Sequence, residues 1–570
     1  MVTSALPYAN GHVHLGHLAG AYLPADIYVR YKRLRGQPTL YVCGSDEYGI
    51  AITLTALKEN VSPEEVINRY HTANAESFAR VRQSFDIYGR TSWRLHTDTT
   101  QAFFRRLYYE GHIEQREMEL WYSEKSDTFL PDRYVKGVCP KCGYTEATGD
   151  ECEHCGAQYA TQELTDPRTN IPGDDSTPIL RKSKHWFLNL NDFTDRLRKY
   201  VDSHPEWRAN VRGIASSWVD DLRPRCITRD VEWGIPVPLE DAEAQNKRIY
   251  VWFDAPIGYV TNTRQWGIDR YNDEDEWRRW WKEDSTRLVH FMGKDNVPFH
   301  AVIFPAMLMG QNNYIVADQV VATEYLKITN RDTGQTEKGS KSKGNMISVR
   351  WFADRFSADA IRYYLCSIMP ESSDSAFDWE EFMNRYNGEL CDVIGNFVHR
   401  SLTMTVKEFD FKVPGPADFD DEDRALLDSL PERLDAVGEA LDNFRFRQGL
   451  ERFVDIGRAA NRYFDAKEPW NTRKTDSART ATTLFTCCQV VRALCTAMAP
   501  FAPDGAHKLA HILGITLPEG GPKGGPDAWT EAKAQMQVGS PLKEPEVLFP
   551  KIEQETIDKY AQEHAAGKAI

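Results

Sequence analysis

Met1-Val2-Thr3-Ser4-Ala5-Leu6 runs straight into the turn Pro7-Tyr8-Ala9-Asn10-Gly11, and three residues later stands His14-Leu15-Gly16-His17. A short apolar strand, a sharp turn and the start of a helix put two imidazoles at i and i+3 on one face, close to a positive N-terminal end suited to phosphate. More than three hundred residues downstream stands Lys338-Gly339-Ser340-Lys341-Ser342. Ammonium groups in a Gly/Ser-rich loop can close over a polyphosphate and stabilise charge moving to a leaving group. Each motif alone is weak: HxGH arises by coincidence, and a basic loop is most often a solvated surface. Together they suggest a nucleotide site whose halves meet on folding.

Working outward, a helix is expected from Leu15 to about Arg35, kinked at Pro24. Thr39 to Cys43 reads as a second strand ending in Gly44-Ser45-Asp46, which puts a carboxylate where open α/β sheets bind ligands. Asp46, followed by Glu47, is costly to bury unless a cation arrives. Ser62-Pro63-Glu64-Glu65 combines an N-cap, a first-turn proline and a capping-box acid. Strand and helix alternate, which predicts an α/β fold with a mostly parallel sheet. From Trp121 to about Gly173 the chain is turn-rich and reads as an insertion; strand signals resume at Ile249–Phe253 and Leu288–Met292. From about 380 to 512 helical periodicity takes over. Phe446, Leu450, Phe453, Ala460 and Phe464 form an apolar stripe, opposite Arg445, Arg447, Arg452, Arg458 and Arg462. A basic helical bundle fits RNA, although arginines on a solvated face commonly have no partner. Ile515 to Trp529 is Pro/Gly-rich and reads as a linker into a short tail.

A chain of 570 residues implies about three or four domains. With 41% hydrophobic and 27% charged residues it has an ordinary globular composition. Without a membrane-length apolar run or a secretory N-terminal pattern, it is expected in the cytosol. A formal charge of −15 argues against a wholesale polyanion-binding surface and confines nucleic-acid contacts to local basic patches. Of eleven cysteines, Cys139, Cys142, Cys152 and Cys155 form C-x2-C-x9-C-x2-C. Two such hooks supply four thiolates, a closed tetrahedral zinc site with no open position, hence a structural zinc. A disulfide pair is disfavoured by a reducing compartment, and a redox pair by the presence of two hooks.

The order of the two nucleotide motifs resembles the class I aminoacyl-tRNA synthetases, with Gly339 where that class usually carries an apolar residue. Longer segments, ALPYANG (5–11), FLPDRYVKGVCPKCG (129–143), YVWFDAPIGY (250–259), GKDNVPFH (293–300) and AKEPW (466–470), are similar to the methionyl-tRNA synthetase family of the single-zinc type. The resemblance implies a Rossmann-type parallel sheet catalytic domain in two halves (1–118 and 241–325), with an inserted connective domain (119–240) carrying a zinc knuckle (139–155). A loop and stem-contact region (326–380), an α-helical bundle anticodon-binding domain (381–512) and a C-terminal linker and tail (513–570) would follow.

It further implies that methionine, ATP carried with Mg2+, and tRNA(Met) are the substrates, and that the protein is a monomer. His14, His17, Lys338 and Lys341 would be catalytic, with Gly16 and Asp295 completing the ATP site. Leu6, Tyr8, Trp252, Ala255, Pro256, Tyr259 and His300 would surround the methionine side chain, and Asp46 would hold its ammonium. Rings and one weak donor suit a polarizable thioether. Arg229 would support the active site, and Asn396, Arg400 and Trp470 would read the anticodon. The competing readings are a catalytically dead tRNA-binding paralogue and another nucleotidyltransferase bearing HxGH.

Overall fold

The computed structural model describes residues 1–149, 152, 154–155, 157, 159, 161–331, 333–339 and 345–569. Five short strands, β1 (Val2–Ser4), β2 (Tyr41–Ser45), β3 (Ile87–Arg90), β4 (Val289–Gly293) and β5 (Gln319–Thr323), form one sheet. Its order is β5-β4-β1-β2-β3 and every pairing is parallel. β2 and β5 are buried along their whole length, as parallel strands covered on both faces must be. The order reverses between β1 and β4, where Val2 faces Val289 and Ser4 faces Phe291. A ligand crevice therefore opens beyond the C-terminal ends of these two strands.

The helix after the first motif is not simply kinked. Leu15–His17 passes into a π-helical turn, Leu18–Tyr22, before the α-helix Leu23–Leu34 begins. Pro24 lacks the N–H that would bond the carbonyl four residues earlier, and the Thr323 hydroxyl at the end of β5 donates to that carbonyl, on Gly20, at 2.8 Å. The device recurs after β4, where the π-turn Phe299–Ile303 precedes the helix Phe304–Met309, with Pro305 in its first turn. Both helices that open at the crevice are thus widened by one residue at the end nearest it.

The capping box at Ser62 forms as its sequence predicts, with both reciprocal bonds to Glu65. The expected strand Ile249–Phe253 does not form. Arg248–Ile249 pairs antiparallel with Thr228–Arg229, and the chain then turns helical over Val251–Asp254. A short apolar run cannot distinguish a buried helical turn from a strand. Here Val251 and Phe253 enter the core while Trp252 remains half-buried.

The insertion is a long antiparallel ladder, Ile113–Ser123 against Ile179–Leu188, and a small three-stranded sheet that carries the cysteines. The C-terminal part is a helical bundle whose Phe446–Lys467 helix buries Phe446, Leu450, Phe453, Ala460 and Phe464, as the stripe predicts. The helix Ser477–Met498 is long and apolar enough to cross a membrane, yet its most apolar window is 94% buried within the protein. It is the central helix of the bundle.

Residues 515–529 are not a linker. Leu517, Ala528 and Trp529 are buried, and Trp529 packs edge-on against Tyr31 of the helix behind the first motif. Pro and Gly set the turns here while the apolar residues between them pay for nothing less than core packing. The remaining segment returns to the catalytic region: the helix Gln554–Ala565 packs Tyr560 against Trp351, and Ser348 donates its N–H to Ala569 at 2.8 Å.

Candidate active site

His14 is the N-cap of the first helical turn. Its Nδ1 accepts the His17 N–H at 3.3 Å, and the His17 Nδ1 accepts the His14 N–H at 3.4 Å. With both Nδ1 atoms accepting, each neutral ring carries its proton on Nε2, so two N–H donors are set at a helix N-terminus. The rings stack with centroids 3.6 Å apart. A Cβ on Gly16 would lie 3.0 Å from the His14 ring, so a larger residue there would press on the stacked imidazoles. The distant motif meets this turn through the backbone: Leu15 N–H bonds Ile347 O at 3.0 Å, and Val349 N–H bonds Val13 O at 2.9 Å. Gly339 and Met346, which flank the Lys/Ser loop, line the same cavity as the histidines. The side chain of Lys338 and the whole of Lys341 lie outside the described residues.

That cavity, of about 370 Å³, is also lined by Leu6, Tyr8, Asp46, Trp252, Ala255, Pro256, Tyr259 and His300. The turn after β1 pairs with the end of β2, Ala9 N–H bonding Asp46 O and Asp46 N–H bonding Pro7 O at 2.8 and 2.9 Å, which sets Tyr8 beside Asp46. Asp46 is 3% exposed, and among the described residues its carboxylate accepts one long bond, 3.5 Å, from Tyr48 N–H. Burial and the nearby Asp254 carboxyl push its pKa well above the ordinary carboxylate range. Such a group takes a proton unless a cation supplies the missing charge.

At the other end, Tyr259 donates its hydroxyl to His300 Nε2 at 2.8 Å, because His300 Nδ1 gives its proton to Asn296 O at 3.0 Å. Burial lowers the His300 pKa to about 4, so the imidazole is neutral near pH 7. Trp252 stacks on Phe299 with centroids 4.0 Å apart. The result is a neutral, aromatic-walled end and an acidic end in one cavity. Asp295 sits at the rim and accepts the Tyr325 hydroxyl at 2.5 Å.

Sequence reasoning missed Phe299, Tyr325 and the buried Asp254. Phe299 precedes His300 within a segment already singled out, so its neighbourhood was the available signal. Asp254 likewise lies within the quoted segment 250–259, beside Ala255, whereas Tyr325 reaches the site only through the tertiary fold.

Arg229 lies outside this cavity, on the wall of a larger adjoining cleft. It bonds Asp132 at 3.0 Å and lies over the Tyr250 ring at 3.8 Å. In the bundle, Asn396 is exposed one turn before Arg400, whose guanidinium lies 5.4 Å from the Trp470 ring centroid, so the three residues share one neighbourhood. Of the five arginines opposite the stripe, Arg458 is engaged with Asp455 and Glu389, while the other four are exposed.

Cys139, Cys142, Cys152 and Cys155 bring their sulfurs within 4.8 Å of one another. The Cys139–Cys155 and Cys142–Cys152 separations are 3.9 and 3.7 Å, and all four are free thiols. A tetrahedral ion with zinc–sulfur bonds of about 2.3 Å needs sulfurs about 3.8 Å apart, so these residues could hold such an ion.

A parallel sheet with HxGH at its switch point, the segment Ile347–Val349 bonded to the same turn, and a helical bundle behind point to a class I aminoacyl-tRNA synthetase. Residues 1–402 match the family model of tRNA synthetases class I (M), and residues 413–569 match the anticodon binding domain of methionyl tRNA ligase. The chain is 42% identical over 578 residues to the methionine–tRNA ligase of Salinibacter ruber, with 98% of this chain and 80% of the relative covered. The Pyrococcus horikoshii methionine–tRNA ligase is 40% identical, with 98% and 76% covered. A solved structure of Mycobacterium tuberculosis methionyl-tRNA synthetase in complex with methionyl-adenylate superposes with a TM-score of 0.77 at 27% identity, covering 96% of this chain and 99% of that one. The chain belongs to the methionyl-tRNA synthetase family and is an aminoacyl-tRNA ligase.

Proposed function

We propose that the cavity activates L-methionine with ATP to methionyl-adenylate and that the enzyme then transfers methionine to the 3′ end of tRNA(Met). The observation that carries this reading is the convergence of a buried, cation-seeking Asp46 and a neutral aromatic pocket beside the paired imidazoles. The methionine ammonium supplies the charge that Asp46 lacks. Its thioether lies among Leu6, Tyr8, Trp252, Ala255, Pro256, Tyr259 and His300, where a polarizable sulfur gains from ring contacts and a charged side chain would lose its hydration.

The carboxylate oxygen then attacks the α-phosphorus in line, the bond to the bridging oxygen breaks, and pyrophosphate leaves. His14 and His17 donate through Nε2 to phosphate oxygens, Gly16 lets the nucleotide approach the backbone, and Asp295 holds the ribose. Lys341, with Lys338, neutralises charge on the departing pyrophosphate. Mg2+ arrives with ATP. In the second step a ribose hydroxyl attacks the activated carbonyl and AMP leaves. Positioning and charge stabilisation carry both steps.

Asn396, Arg400 and Trp470 offer hydrogen-bond edges and a stacking plane to the anticodon. The four cysteines hold one structural zinc, whose chemistry is to fix the knuckle. Arg229, clamped to Asp132, acts as a support between insertion and catalytic core. The protein is proposed to work as a cytosolic monomer. The divisions at 118, 240, 325 and 380 belong to the same proposal, with 513–570 reassigned from a tail to part of the helical domain's packing. Calorimetric titration tests the pocket: L-methionine should bind the unaltered chain, and Asp46→Asn should abolish binding. Equal binding by both would remove Asp46 from the site.

A further inference from the structure

Asp254 is completely buried on the turn Val251–Asp254, between Trp252 and Ala255 of the pocket wall, yet it lines neither the cavity nor the adjoining cleft. Its Oδ2 lies 3.3 Å from Nε2 of His96, itself fully buried on the helix Arg94–Tyr109. Its Oδ1 finds no hydrogen-bond partner in another of the described residues, and no lysine or arginine among them pairs with this carboxyl. Burial pushes its pKa well above the ordinary carboxylate range, outweighing the pull of its own backbone N–H. The titratable groups around Asp254 and Asp46 are Glu47, Tyr8, Tyr48, Tyr259 and His96. None of them supplies a positive charge: Glu47 is an acid already paired with Arg90, and burial lowers the His96 pKa to about 3.

A carboxylate left with one neutral donor in such surroundings is far costlier than the neutral acid. The hydrogen bonds around Asp254 fit the protonated state. The acid donates to His96 Nε2, and His96 Nδ1 donates its proton to Thr261 Oγ1 at 3.0 Å. The Thr261 hydroxyl, on the helix Ile257–Tyr271, donates in turn to Ile257 O at 3.2 Å. Thr100 Oγ1, 3.4 Å from the same His96 Nε2, is a second and longer contact. The chain of bonds ties the turn that carries Trp252 to two helices, one of which carries Tyr259. Asp46 differs in one respect: it lines the cavity, where a cation can reach it. Two neighbouring buried carboxyls thus take different charge states according to what each one faces. We propose that Asp254 is a neutral positioning residue of the methionine site: it stays protonated with and without ligand, holds the pocket wall through His96, and leaves Asp46 the one carboxyl to ionise when the ammonium binds. This deepens the functional reading above and rests on it, because Asp46 is taken to hold the substrate ammonium.

The test uses the full chain, L-methionine and ATP–pyrophosphate exchange. Calorimetric titration of the unaltered chain with methionine, repeated in buffers of different ionisation enthalpy from about pH 6 to 8, counts the protons released on binding. At most one per methionine is expected, from Asp46; more than one would show that Asp254 ionises too and would overturn the proposal. Asp254→Ala removes the donor to His96 and should raise the methionine KM in exchange by about tenfold, with kcat changed much less. Asp254→Asn should recover most of that loss, because an amide N–H donates to His96 as the neutral acid does. Asp46→Asn, at the group that must ionise, should still abolish binding. Asp254→Asn as damaging as Asp46→Asn, or no better than Asp254→Ala, would overturn the proposal, as would an unchanged KM in Asp254→Ala. Failure of the unaltered chain to bind methionine, or normal binding by Asp46→Asn, would instead defeat the functional reading on which the proposal rests.

Discussion

Asp26 and Arg362 form an ion pair at 2.7 Å in which neither side chain is exposed. Asp26 stands on the helix directly behind His14 and His17, and Arg362 stands on the helix Ala358–Ser367, at the approach to the bundle. Arg362 also donates to Phe501 O and Pro500 O in the bundle and to Val81 O in the catalytic region. The pair therefore joins the helix behind the HxGH turn to the C-terminal helical bundle by one buried hub.

Removing one partner should be costly, because an unpaired charge remains buried. Arg362→Met should destabilise the chain by about 3–5 kcal/mol, and Arg362→Met with Asp26→Leu should recover much of that loss. Denaturant unfolding measures both. A single substitution within about 1 kcal/mol of the unaltered chain would show that the hub is not buried as described.

The same carboxylate gives an acid limb. Burial alone would raise its pKa, but Arg30, Arg362 and Ser84 outweigh burial and hold it at about 2, against an ordinary 3.8. A depressed folded pKa means that this contribution is fully present above the unfolded value and disappears as pH falls from about 4 to 2. Asp26→Asn should flatten stability over that window. An unchanged slope would contradict the assignment.

Asp46 has the opposite sign. Its raised pKa means that ionisation above the unfolded value works against the folded state without a cation. Asp46→Asn should therefore raise the melting midpoint of the ligand-free chain, by on the order of 2 °C or more, while abolishing methionine binding. Methionine should stabilise the unaltered chain only. A lowered midpoint in the variant would show that the carboxylate is structural.

Cys152→Ser should lose bound zinc, measured by elemental analysis, and melt the knuckle before the catalytic sheet, because a closed four-thiolate shell couples metal binding to local folding. Full zinc content in that variant would show that the ligand set is wrong.

Trp470→Ala should leave pyrophosphate exchange almost untouched while raising the tRNA concentration needed for half-maximal charging by about 5- to 150-fold. Because Arg400 rests over the same ring, Arg400→Ala should move in the same direction. Equal damage to exchange would identify Trp470 as a core residue, consistent with its contact to Phe464.

What the sequence made legible was local or covalently spaced. The Ser62 capping box, the apolar stripe from Phe446 to Phe464 and the C-x2-C hooks each depend on residues a few positions apart, and the described structure brings them together as spaced. The pocket residues were reachable through resemblance. The π-turns at Leu18–Tyr22 and Phe299–Ile303 were not, because Pro24 signals a missing hydrogen bond but not the hydroxyl of Thr323, about three hundred residues away, that replaces it. Residues 515–529 misled for a related reason. Glycine and proline announce turns, yet whether Leu517 and Trp529 pack depends on Tyr31 and its helix, which only the tertiary fold supplies.

The central claim is that this cavity selects and activates methionine. ATP–pyrophosphate exchange measured with each of the twenty amino acids, without tRNA, tests it most directly. The account predicts strong exchange with methionine alone, and its loss in Asp46→Asn. Exchange driven equally well by leucine or isoleucine, or no exchange with methionine at all, would contradict it.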